Sequence, residues 1–90
     1  MAKRKKILVV EDESSVSDLI KLTLEDYYTV IQSYDGKDAL EKVHNEKPDL
    51  VVLDIMLPEM DGYQVCNEIK NDPKMKKTTV LMLSAKSQER

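Results

Sequence analysis

The chain has ninety residues, enough for one small domain with a thin stability margin. Apolar residues make up 41% and charged residues 34%, the balance of an ordinary globular domain, and the net charge of -3 argues against nucleic acid as a direct partner. With no Phe and no Trp, the core must come from Val, Ile, Leu and Met, with a few Tyr.

The N-terminus is basic from Lys3 to Lys6 and leads into Ile7-Leu8-Val9-Val10. That resembles the start of a signal peptide, but the apolar run stops at Glu11 and Asp12, well short of a usual h-region. The basic tetrapeptide reads instead as a solvated leader before a buried strand. No stretch is long enough to span a membrane. A single cysteine, Cys66, rules out an internal disulfide and suits a reducing cytoplasm.

Ile7 to Val10 is a continuous apolar run with β-branched residues and predicts a strand buried on both faces. After Glu11-Asp12-Glu13, Ser14 and Ser15 offer N-cap hydroxyls. Val16, Leu19, Ile20, Leu24 and Tyr27 then recur at helical spacing, which predicts an amphipathic helix of about three turns. Thr29 to Ser33 predicts a second strand, ending at the turn signal Asp35-Gly36. Ala39, Leu40 and Val43 mark a second helix, closed by Pro48.

Leu50 to Leu53 is another fully apolar strand, and Asp54 ends it. The loop Ile55 to Asp61 contains Pro58. Gly62 opens a third helix that turns Val65, Cys66 and Ile69 inward and stops near Asp72-Pro73. Thr79 to Leu83 predicts a fourth strand, followed by Ser84. Ala85 to Arg90 reads as a loop or the first turn of another helix. The order βαβαβαβ, with apolar strands, predicts one α/β domain over 1–90, built on a parallel sheet with right-handed crossovers. There is no internal repeat and no interdomain linker.

In such sheets ligands bind beyond the carboxyl ends of the strands, where strand order reverses. In a 2-1-3-4 order that crevice lies between strands one and three. Glu11, Asp12 and Asp54 would converge there, with Ser84 at the same edge. Acids after a strand also serve as helix caps or solvated loop residues, but acids and a hydroxyl together on three strand ends argue for a site. Two carboxylates about 4 Å apart repel by roughly 4 kcal/mol at an effective dielectric near 20. A proton or a cation must offset that. An all-oxygen site with room for water suits Mg²⁺ best, with Mn²⁺ close behind. Such a cation would favour attack by Asp54 on phosphorus, with Ser84 bonding a phosphoryl oxygen.

Four motifs carry a close resemblance to the receiver domains of two-component signalling. They are Ile7-Leu8-Val9-Val10-Glu11-Asp12-Glu13, Asp49-Leu50-Val51-Val52-Leu53-Asp54, Leu57-Pro58-Glu59-Met60-Asp61-Gly62 and Leu81-Met82-Leu83-Ser84-Ala85. Together they span essentially the whole sequence. The resemblance implies a flavodoxin-like fold with Asp54 as phosphoacceptor. Asp12 and Asp54 would ligate Mg²⁺ directly, Glu11 through water, and the Met56 carbonyl would complete the protein ligands. Ser84 would contact the phosphoryl group. Met56 and Lys86 would tune the dephosphorylation rate. The donor would be a histidine kinase or a phosphotransfer protein. Such domains catalyse the transfer and their own dephosphorylation.

The family fold has five strands and five helices, and this sequence runs out near the start of the fourth helix. The expectation is an incomplete sheet that lacks the fifth strand, its phosphoryl-pairing lysine and the aromatic switch residue. Lys86 is not that lysine, since it follows strand four. An unpaired strand-four edge is a template for another chain. The fragment is therefore expected to be a homo-oligomer, its sheet completed or rearranged by association. Two functions stay open: a phosphoacceptor domain, or a fragment that mainly self-associates and takes up no phosphate.

Other readings fit less well. A flavin-mononucleotide binder needs hydroxyls and amides after strand one, where Glu11-Asp12-Glu13 stands. A haloacid-dehalogenase-type phosphatase needs a second aspartate two residues past the nucleophile, where Met56 stands. His44 reads as solvent-exposed, Cys66 as core, the methionines as packing or loop residues, and Lys74, Lys76 and Lys77 as a solvated turn.

Overall fold

The structure is a computed structural model that describes residues 4–83. Four parallel strands form one sheet in the order β2-β1-β3-β4. They are β1 (Lys6–Val10), β2 (Thr29–Ser33), β3 (Leu50–Asp54) and β4 (Thr79–Leu83). Three α-helices connect them: α1 (Ser14–Leu24), α2 (Gly36–Glu46) and α3 (Gly62–Asn71). A short 3-10 turn, Pro73–Met75, precedes β4.

The two central strands are the two continuous apolar runs. Side chains alternate across the pleat, so each run feeds both faces of the sheet. Leu8, Val10, Val51 and Leu53 join Ala39 and Val43 of α2 and Val65 and Ile69 of α3 in the main core. Ile7, Val9 and Val52 face the other way, against Ile20 and Leu24 of α1. Helices thus lie on both faces, and each fully buried Leu or Ile contributes about 1.5–3 kcal/mol. Cys66 packs against the main core, as its spacing predicts.

Three sequence expectations change. The cap of α1 is Glu13, without a side-chain bond, so Ser14 and Ser15 lie inside the helix. The helix stops at Leu24, which leaves Tyr27 beyond it and exposed. Val16 and Leu19 point to solvent, Leu19 at 64% exposure, whereas Ser17 is fully buried. Gln32 on β2 explains that choice, because its Nε2 donates to Ser17 Oγ at 2.9 Å and to Asp18 Oδ1 at 2.8 Å. These bonds turn Ser17 toward the sheet and Val16 and Leu19 away from it.

The basic leader is also more than solvated. The Arg4 guanidinium donates to the carbonyls of Glu25 and Asp26, both at 3.0 Å, at the carboxyl end of α1. Lys6 begins β1 and its ammonium meets Glu46 at 3.1 Å. His44 is half exposed, as expected, with its Nε2 at 3.4 Å from Asp72.

Asp35 and Gly36 start a helix rather than a free turn. The Asp35 carboxylate accepts from the Asp38 amide at 2.8 Å, the usual N-cap bond. At the other end Lys47 takes a left-handed conformation, φ 49°, and its amide donates to the Val43 carbonyl. Pro48 follows, and its ring and missing amide hydrogen exclude a further helical turn.

Candidate phosphoacceptor and metal site

The strand ends place the acids. β1 and β3 are neighbours, with Val10 opposite Leu53. Glu11 and Asp12 therefore leave β1 beside Asp54, the last residue of β3. Carboxylate oxygens of Glu11, Asp12 and Asp54 all lie within 4.8 Å of one another. The sequence prediction of a converging triad is met in the described residues.

Their surroundings differ. Glu11 is 9% exposed and Asp54 7%, while Asp12 faces solvent. Burial pushes the Glu11 carboxyl up to about 7, and the negative charges of Asp54 and Asp12 add to the shift. The Glu13 amide, donating to Glu11 Oε2 at 3.1 Å, works in the opposite direction and does not prevail. A buried carboxyl that keeps its proton to neutral pH relieves part of the repulsion in the cluster. The Asp54 carboxylate accepts from the Met56 amide at 3.2 Å.

A cleft of roughly 790 Å³ opens over these groups. Met56, Pro58 and Tyr63 line its apolar side, with Val16 from the first turn of α1. The sequence marked Val16 only as part of a helix's apolar stripe, and Tyr63 not at all. Each follows closely on an acidic strand end or loop, and that placement was the available signal.

The loop from Ile55 to Asp61 is tightly bound at both ends. The Ile55 amide donates to the Leu83 carbonyl at 3.0 Å, and the Gly62 amide to the Ile55 carbonyl at 2.9 Å. Inside it, the Met60 amide donates to the Pro58 carbonyl at 2.7 Å across Glu59, whose φ is 67°. A three-residue turn about a left-handed non-glycine residue is rare and strained by about 1–2 kcal/mol. Asp61 then caps α3, its carboxylate accepting from the Gln64 amide at 2.9 Å. Ser84 and Lys86, the remaining site positions expected from sequence, and the tail from Ala85 lie outside the described residues.

A sequence model described as the response regulator receiver domain matches residues 7–90. The chain belongs to that family. This receiver domain is 49% identical over 86 residues to the alkaline phosphatase synthesis transcriptional regulatory protein PhoP of Bacillus subtilis. That alignment covers 94% of the chain and 35% of the relative, so the receiver domain spans about a third of that regulator. Among solved structures, it resembles the N-terminal domain of a response regulator receiver protein from Methanoculleus marisnigri, with TM-score 0.86 and 41% identity. The match covers 89% of the chain and 66% of that structure. The phosphorylated cyanobacterial phytochrome response regulator RcpA gives TM-score 0.84 and 36% identity, over 91% of the chain and 66% of the other. The flavodoxin-like fold in 2-1-3-4 order is thus shared, with four strands described against the full fold.

Proposed function

We propose that Asp54 accepts a phosphoryl group from a phosphohistidine on a histidine kinase or a phosphotransfer protein. The observation that carries this reading is the convergence of Glu11, Asp12 and Asp54 within 4.8 Å at one end of the sheet. Asp54 is the best-placed nucleophile, since it ends β3 under the cleft and its carboxylate is fixed by the Met56 amide. An Asp54 oxygen would bond to phosphorus as the phosphorus–nitrogen bond breaks, and the imidazole would leave with the electron pair.

The donor set fits Mg²⁺, with Mn²⁺ as a substitute: it is all oxygen, compact and acidic. Glu11, Asp12 and Asp54 would hold the ion, together with the Met56 carbonyl. The bound cation would neutralise charge gathering on the phosphoryl oxygens. Ser84 would bond one of those oxygens. The reading places the domain in the cytoplasm, with neither membrane nor nucleic acid as a direct partner. No helix among the described residues is long and apolar enough to cross a membrane.

The test is incubation with a small phosphodonor and Mg²⁺, followed by mass spectrometry. One phosphoryl adduct is expected, absent in Asp54→Asn and absent with a chelator. An adduct that persists in Asp54→Asn would reject Asp54 as the acceptor.

A second reading has its own support. Leu81 and Leu83 of β4 are 51% and 38% exposed, and β4 has a strand on only one side among the described residues. We propose that copies of this chain associate through that edge. Light scattering decides it. A monomeric mass together with a cooperative melt would reject self-association.

A further inference from the structure

Gly62 begins α3 at the point where the helix meets the phosphoacceptor strand. Its backbone torsion is not left-handed, so conformational freedom does not explain a glycine there. Space does. A Cβ on residue 62 would lie 2.5 Å from the Asp54 carbonyl oxygen, 2.7 Å from Ile55 Cα and 3.1 Å from the Asp54 carbonyl carbon. All three are backbone atoms, and none can rotate away. The first turn of α3 therefore rests directly on the peptide of Asp54.

We propose that Gly62 is a positioning residue for Asp54. The missing side chain lets α3 brace the end of β3, which sets where the Asp54 carboxylate stands relative to Glu11 and Asp12. The proposal rests on the phosphoacceptor reading for its consequence, though not for its geometry. Asp54 is then held from three sides. β1 pairs beside it, β4 receives the Ile55 amide at 3.0 Å, and α3 presses on its carbonyl while the Gly62 amide bonds Ile55 at 2.9 Å. A methyl group at 62 must push the helix or the strand end by roughly 0.9 Å to open the 2.5 Å approach to the Asp54 carbonyl oxygen into ordinary contact. Metal ligation tolerates displacements of about 0.2 Å. The Met56 amide, which fixes Asp54 Oδ1 at 3.2 Å, lies in the same short segment and moves with it.

Gly36 supplies the control. A Cβ there would also crowd its neighbours, at 2.8 Å from Val65 Cγ2 and 3.1 Å from Met60 Cβ and Sδ. Those are side-chain atoms, and none belongs to Asp54. Helix propensity alone predicts that alanine is tolerated or stabilising at both positions, because glycine is the poorer helix former.

The experiment compares wild type, Gly62→Ala and Gly36→Ala. Mg²⁺ affinity is measured by calorimetry, and the Ile55 and Met56 amide shifts by NMR in the metal-free state. The expected result is a Mg²⁺ affinity at least about 10-fold weaker in Gly62→Ala, with both amides displaced before metal is added. Gly36→Ala should keep its affinity within about 2-fold, since its crowding falls on Val65 and Met60 and not on the backbone of Asp54 or Ile55. Wild-type affinity and unshifted amides in Gly62→Ala would overturn the proposal. If wild type binds no Mg²⁺, the functional reading fails, and the metal-free amide shifts still decide the positioning. If Gly62→Ala does not fold, Asp61→Ala is compared with Asp61→Asn. Both lose the charge and only Asn keeps the cap on α3. Affinity about 3-fold weaker in the alanine variant supports the brace, and equal affinities overturn it.

Discussion

Replacing Asp54 with Asn should make the metal-free domain more stable, although it removes the group on which the proposed function depends. Carboxylate oxygens of Glu11, Asp12 and Asp54 stand within 4.8 Å of each other. At that separation, two full charges repel by about 3.5 kcal/mol at an effective dielectric near 20. The whole of that is not recovered. Near neutral pH the Glu11 carboxyl is partly protonated, being pushed up to about 7, and Asp12 is exposed and screened by water. A net gain of about 2 kcal/mol remains, which for a domain of this size raises Tm by about 10 °C. Asn keeps the oxygen that accepts from the Met56 amide at 3.2 Å, so packing is preserved.

The assay is a thermal melt followed by circular dichroism at about pH 8, where Glu11 is mostly ionised and the repulsion is largest. Wild type and Asp54→Asn are melted with a chelator and again with Mg²⁺. The chelated variant should melt higher than chelated wild type. Mg²⁺ should raise the wild-type Tm and leave the variant nearly unmoved. An Asp54→Asn that melts at or below wild type in chelator refutes the repulsion argument. A wild-type Tm indifferent to Mg²⁺ refutes the metal site.

Proton and metal should compete at Glu11. With its carboxyl at about 7, Mg²⁺ affinity should rise about 10-fold between about pH 6 and pH 8, with proton release measurable by calorimetry in buffers of different ionisation enthalpy. The same group sets a stability trend without metal. Its contribution is fully present below the unfolded value of 4.5, falls as pH rises through about 7, and is flat above; urea melts across that range should show the decline. Asp38 works in the opposite direction at lower pH. The Ser33 hydroxyl at 2.6 Å, and then Lys42 at 3.2 Å, hold its carboxyl below 3.8, so its contribution is present above that value and lost as pH falls through the lowered one; Ser33→Ala should weaken that acid dependence in the same melts. In the core, Ile69→Ala should cost about 3 kcal/mol by urea unfolding, because the side chain is fully buried between α3 and the sheet. A loss under about 1 kcal/mol would mean that the core collapses around the gap.

The fold was legible wherever one physical requirement dominated. Ile7 to Val10 and Leu50 to Leu53 are apolar at every position, short and rich in β-branched residues, which suits a strand buried on two faces. The meeting of Glu11, Asp12 and Asp54 followed once those runs were placed in the 2-1-3-4 order of the fold that the sequence resembles. The faces of α1 were not legible. Periodicity identified a helix, but Ser17 is buried and Leu19 exposed because Gln32, fifteen residues downstream of Ser17, bonds the serine. No local pattern contains that contact. The turn at Glu59 was hidden for a similar reason, since a left-handed glutamate is imposed by both anchored ends of its loop. The proton on Glu11 was hidden as well. Repulsion among the acids predicted a proton or a cation, but the burial that pushes the Glu11 carboxyl up to about 7 belongs to the folded chain and to no local pattern.

These results place stability and chemistry in different parts of the same strands. The apolar stretches of β1 and β3 supply the burial that stabilises a small domain. The acids at their ends do the reverse, gathering like charges where desolvation makes the Glu11 charge costly. Among the described residues, the supports that keep the site in that state are backbone. β4 binds the peptide after Asp54, and α3 presses on the peptide of Asp54 itself. A brace made of backbone cannot swing aside when the acids repel, as a lysine or arginine partner could. It leaves the carboxylates facing the cleft with their charge incompletely offset, and a cation or a phosphoryl group arriving there meets oxygens that are already in place.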